Sequence, residues 1–157
     1  MNKKFLVAAG ACAFLCTSCT SLPENARKLD INIESVSFTN INNVEGFNVV
    51  YTVHHNSNAP MPLENVTITV DINGKPAGIY TDNEPHELPN RITNHYSVFV
   101  PANRTCEVAK ESLKLNPMLQ VSSSATVSLI VEDDTDDSAS AFNVEQTKKG
   151  IIHAQAD

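Results

Sequence analysis

The chain has 157 residues, the length of one ordinary domain. With 41% hydrophobic and 18% charged residues it carries enough apolar side chains for a core, which excludes disorder over most of its length. Its net charge of −7 excludes a phosphate-backbone binder, because counterion release needs clustered Lys and Arg, so no nucleic-acid partner is expected.

The first residues have the three parts of an export signal. Lys3 and Lys4 form a positive start, Phe5 to Leu15 an uncharged and largely apolar stretch, and Cys16-Thr17-Ser18 a small-residue stretch before Cys19. The apolar stretch is too short for a membrane-spanning helix, which needs about 20 residues. It resembles a bacterial lipoprotein signal peptide: Thr17 and Ser18 fit that pattern, while Cys16 stands where leucine is usual and Leu15 is displaced by one. The resemblance implies a signal peptide at 1–18, cleavage before Cys19 and lipidation of Cys19. It also implies a tether over 19–28 and a domain over 29–157. The expected partner is then a membrane, reached through the lipid anchor, and the expected place is the cell envelope. By the sorting rule of lipoproteins generally, Thr20 after the cysteine, rather than aspartate, implies for a diderm cell an outer membrane with the domain facing the periplasm. The alternative is an ordinary secretory signal that leaves Cys19 as a plain thiol, with a Cys19–Cys106 disulfide as its runner-up.

Thr20 to Lys28 is polar, contains Pro23 and has no periodicity, as a tether would. From Leu29 the period becomes two. Ile31 and Ile33 alternate, and Val36 and Phe38 follow in the opposite phase, so the slip at Glu34-Ser35 predicts a bulge. Phe47, Val49, Tyr51 and Val53 predict a second strand, and Val66, Ile68, Val70 and Ile72 a third. Asn73-Gly74 then predicts a tight hairpin, since both central residues of a type I′ turn need φ > 0. The returning strand, Lys75 to Tyr80, holds Pro76 and Gly78 and is expected at a sheet edge. Thr81 to Asn90 reads as loop. Tyr96, Val98 and Val100 predict a fifth strand, Glu107 to Leu115 a short helix stopped by Asn116-Pro117, and Ala125 to Val131 a sixth strand. Phe142 and Val144, continuing toward Ile151-Ile152, predict a seventh. The expected fold is all-β: an antiparallel two-sheet sandwich of about seven strands with one short helix.

Four pieces of the chain resemble the late-embryogenesis-abundant type 2 family, also called the water-stress-and-hypersensitive-response domain. They are Ile31-Asn32-Ile33-Glu34-Ser35-Val36, the corner Val53 to Leu63, the strand and turn from Val70 to Gly78, and Leu88-Pro89 leading to Val98-Phe99-Val100-Pro101. At the corner Asn56 and Asn58 keep the family's asparagines and Pro62-Leu63 its exit. Ser57 and Ala59 stand where prolines are usual, with Pro60 one residue later. The resemblance implies an immunoglobulin- or fibronectin-like sandwich and, by analogy alone, a stress-related role. The corner residues Asn56, Asn58, Pro60, Pro62 and Leu63 are expected to be structural: asparagines serving the abandoned backbone, prolines fixing φ, and Leu63 anchored in the core.

No chemical constellation stands out. Asp134, Asp136 and Glu145 are the candidates for a Ca²⁺ loop, occupying its first, third and twelfth positions, but Ala139 stands where glycine belongs. The preferred reading is a solvated hairpin tip whose charges discourage edge pairing. His54 and His55 are adjacent, so on a strand they face opposite ways, and His86, His95 and His153 have no ligand spacing. Cys106 has no protease signature around it, and Glu107 beside it disfavours the thiolate. No cofactor is expected and no enzyme activity. The expectation is a lipid-anchored binding or stress-related module with a possible envelope protein partner. The alternatives are a structural partner in an envelope assembly, or a Ca²⁺- or small-ligand-binding lipoprotein.

Overall fold

The computed structural model describes residues 29–116, 118–133 and 140–152. Two antiparallel sheets pack face to face around one core. The first has the order β1 (Leu29–Ile41), β2 (Val44–His55), β6 (Thr93–Pro101). The second has the order β4 (Lys75–Asp82), β3 (Met61–Ile72), β7 (Val121–Asp133), β8 (Ser140–Ile152), with the short β5 (His86–Leu88) also paired to β3. A helix, α1 (Arg104–Leu115), lies between β6 and β7.

Period-two alternation builds this core, and bulges keep it in phase. On β1 the register slips between Ile33 and Ser35, at the predicted place. Ile31 and Ile33 face the core before the slip, while Val36 and Phe38 lie opposite the inward Val49 and Phe47 after it. A second slip between Leu63 and Asn65 lets Leu63 and then Val66, Ile68 and Val70 all turn inward. The Asn73-Gly74 hairpin has φ values of 51° and 71°, as a type I′ turn requires. Asn42-Asn43, with φ values of 51° and 65°, joins β1 to β2 in the same left-handed region.

Two elements differ from expectation. The stretch read as a loop after Tyr80 holds the last residues of β4 and all of β5, which brings the described strands to eight. Three residues carry no usable alternation, and β5 exists because β3 offers it a free edge at Met61–Leu63. The helix starts at Arg104 rather than Glu107, because the Asn103 side chain accepts the Thr105 N–H and caps it. Its inward residues are Cys106 and Leu113, not Val108 and Leu115, which are exposed. Both pairs are seven apart, and two residues of offset turn a helix by about 200°.

The sheets touch through backbone at one isolated bridge, Gly78 to Ala102, where the chain leaves β6 for α1. There Ala102 N–H donates to Glu45 O and Asn103 N–H to Ala77 O, so one peptide unit faces β2 and the next β4. A Cβ on Gly78 would stand 2.8 Å from Pro101 O, a contact with backbone that cannot simply rotate away. Gly78→Ala is therefore expected to cost about 1–3 kcal/mol of stability, read as a lower urea midpoint at unchanged slope. An unchanged midpoint would mean that β4 yields at no cost.

Tyr51 is buried and stacks on Tyr96 at 5.1 Å between ring centroids. Burial, with Tyr96, Tyr80 and Asp82 adding to it, pushes its phenol far above the usual tyrosine range. The native state thus holds this proton more tightly than the unfolded chain does. Its contribution is intact below about pH 10 and is lost as the pH climbs above that toward the folded value. Tyrosinate absorbance should show Tyr51 ionising only together with alkaline unfolding. A reversible titration of all three tyrosines near pH 10 in the folded protein would contradict this.

Candidate functional site

The family-like corner joins β2 to β3. His55, the last residue of β2, is fully buried. Its Nε2 lies 2.8 Å from Leu88 O, which only accepts, so Nε2 carries a proton. Its Nδ1 lies 2.7 Å from Ser57 Oγ, which also stands 2.6 Å from Ala59 O, so the one hydroxyl proton serves either of these acceptors. His55 thereby ties β2 of one sheet to β5 of the other, and Ser57 closes the turn.

The asparagines do other work than serving the abandoned backbone. Asn56 Oδ1 pairs with His54 Nε2 at 2.9 Å, and Asn58 Oδ1 accepts from Arg91 Nη2 at 2.6 Å. The Asn58 carbonyl accepts from Asn90. Backbone groups at this corner are taken by His55 and Ser57 because their side chains point inward, where an unpaired carbonyl costs most. Pro60 is exposed; Pro62 and Leu63 lie inside β3, opposite Glu87 and His86 of β5, and Leu63 is buried. Histidine beside serine is the geometry of an activated nucleophile, but here both are sealed from solvent and committed to the fold.

The other candidates are scattered. Cys19, Asp134 and Asp136 lie outside the described residues. Glu145 sits within β8, opposite Ser128, and accepts from Asn143 at 2.9 Å. Five residues separate it from the start of β8, about 17 Å of strand. Asp82, Glu84 and His86 form a cluster that the spacing of histidines did not suggest, their ligand atoms within 4.8 Å of one another. It is a turn held by its own bonds: Asp82 Oδ1 accepts Glu84 N–H at 2.9 Å, and Oδ2 meets His86 Nε2 at 3.3 Å. Those bonds, the backbone one first, hold the Asp82 carboxyl below the usual range. Cys106 is buried, and that burial, ahead of the carboxylates of Glu45 and Glu107, pushes its thiol up, although Lys110 opposes the shift. A thiolate nucleophile is disfavoured there.

A cleft of about 1140 Å³ opens between the sheets, bounded by β1, α1 and the ends of β7 and β8. Val36 and Phe38 face inward yet are 37% and 46% exposed, against 4% for Ile31 and Ile33 on the same strand. The facing sheet explains this. Ser123 and Ala125 on β7 and Gly150 on β8 occupy inward positions and bring almost no volume to the gap. Lys148, also in inward phase, spans the opening and donates to Ile33 O at 3.1 Å and Glu34 O at 2.5 Å, carbonyls beside the β1 bulge. Lys110 stands 4.9 Å over the Phe38 ring and pairs with Glu45. Small residues opposite Val36 and Phe38, and a lysine in the inward phase of the last strand, are the sequence signal of this cleft.

Three substitutions at the corner rank its bonds. Leu63→Ala should cost about 2–5 kcal/mol, as buried leucines do. His55→Ala should cost at least about 1–3 kcal/mol, since Leu88 O loses its buried donor. Asn58→Ala, which removes an exposed pair with Arg91, should cost under about 1 kcal/mol. A thermal midpoint that falls as far for Asn58→Ala as for His55→Ala would contradict the assignment of His55 and Ser57 as the corner's structural pair.

No family model matches the chain, and no curated protein matches it. Solved structures do. A protein from Arabidopsis thaliana, solved in solution, is 14% identical with a TM-score of 0.61, covering 92% of this chain and 91% of its own. A protein described as a candidate late-embryogenesis-abundant protein, also solved in solution, is 11% identical with a TM-score of 0.53, covering 80% of this chain and 71% of its own. A crystal structure from Archaeoglobus fulgidus is 13% identical with a TM-score of 0.50, covering 76% and 98%. At these identities the likeness is one of fold: the chain is an all-β sandwich built like these proteins, one of them late-embryogenesis-abundant-like.

Proposed function

We propose that the chain is a lipid-anchored, non-enzymatic β-sandwich of the bacterial cell envelope that works by binding in a stress-related setting. The observation that carries binding is the cleft, where inward-facing Val36 and Phe38 meet water instead of the opposite sheet. Exposed apolar surface gathered in a concavity is the usual mark of a ligand site rather than of a closed core. The anchor rests on Lys3 and Lys4, the apolar stretch to Leu15, and the Ser18-Cys19 junction. The likeness to a late-embryogenesis-abundant-like fold supports the stress-related setting. The non-enzymatic reading follows from the sealed His55–Ser57 pair and the buried, disfavoured thiol of Cys106.

Cys19→Ala in the full chain should abolish acyl labelling and remove the protein from the membrane fraction; normal palmitate incorporation would end the anchor reading. For binding, a photoreactive phenylalanine analogue replaces Phe38 in cells, with Ile79, an exposed residue on β4, as control. Adducts are expected from position 38 above the control. Equal yields from both positions would sink the binding reading.

A further inference from the structure

We infer that the cleft takes an amphiphile with an acyl chain and an anionic head group, a carboxylate or a phosphate; this rests on the binding reading above and names its ligand class. The interior supplies apolar side chains from three directions: Phe38 and Phe47 from the first sheet, Val70 and Ile72 from the second, and Leu113 from α1. Polar groups inside are few, chiefly the Ser123 hydroxyl, so nothing converges to orient a compact polar ligand. A flexible hydrocarbon chain needs no such groups, because its recognition is non-directional.

The rim carries the second half of the argument. The protein has 18 acidic residues against 11 basic ones, yet three lysines, Lys110, Lys114 and Lys148, line this one cleft. Carboxylates stand nearby, Glu107 among them beside Cys106. Glu45 neutralises Lys110, and Glu34 turns to His95 at 3.8 Å. Lys148 bonds to neutral carbonyls, which leave its charge uncompensated. Lys114 has no acidic partner among the described residues. A positive mouth over an apolar interior, on an acidic protein, is complementary to an anionic head group above a hydrocarbon tail. A neutral lipid would fill the interior and leave the lysines unanswered.

The test uses the full chain reconstituted in phosphatidylcholine vesicles and three photoreactive probes of equal chain length: a fatty acid, a lysophosphatidate and a fatty alcohol. Labelled peptides are mapped by mass spectrometry. Both anionic probes are expected to label peptides bearing Phe38, Leu113 or Ile152 on the order of tenfold above the alcohol. Comparing the two tells whether a carboxylate or a phosphate is the better head. Lys114→Glu with Lys148→Glu should remove the preference, as should high salt with the unaltered chain, which needs no variant to fold. Equal cleft labelling by all three probes would overturn the anionic head group while leaving the binding reading intact. Labelling that misses the cleft with every probe would overturn both. A preference that survives both the double variant and high salt would also overturn the inference.

Discussion

The sandwich depends on side chains staying in phase along strands of twelve and thirteen residues, because the two sheets share almost no backbone pairing. A slip of one residue would turn a whole inward row to solvent. The chain absorbs mismatch at bulges near Glu34 and Glu64, and each returns the apolar row to the core. Polar cross-ties then work at two places. His55 joins β2 to Leu88 inside the closed end, where a fully buried bond is costly to lose. Lys148 joins β8 to the β1 bulge at the open side, in contact with water, and holds the opening less tightly.

Between these ties the core changes character. Toward Ile31 and Val53 both sheets bring large residues and the packing closes. Toward Phe38 the opposite sheet brings serine, alanine and glycine, and the gap stays open. A sandwich selected for stability alone would place bulk at positions 123 and 150. Small residues there, facing an aromatic ring, trade packing energy for space.

Much of this was legible in the sequence, because alternation reports the half-buried strand directly. The bulge at Glu34, the Asn73-Gly74 turn and the edge placement of β4 followed from local chemistry alone. What escaped was set by distant partners. The three residues of β5 are a strand only because β3 has a free edge beside them. The helix start needed the Asn103 cap, whose side chain also donates to Pro76 O on β4. The role of His55 was hidden because adjacency to His54 says which way a ring faces but not what waits there. The cleft is a missing contact between strands far apart in sequence, and its local signs, small residues and one inward lysine, gain meaning only once those strands face β1.

The placement of Leu29 at the closed end has a mechanical consequence. From Leu29 to Phe38 the strand rises about 30 Å, so the cleft mouth lies about that far from Leu29. Residues 19–28, fully extended, reach at most about 35 Å. On the proposed anchor these two lengths nearly match. Such a domain can stand upright with its mouth turned away from the bilayer, or lie over on its side with the mouth at the head groups. On that proposed anchor, pivoting about residues 19–28 would by itself carry a molecule held in the cleft out of the membrane plane.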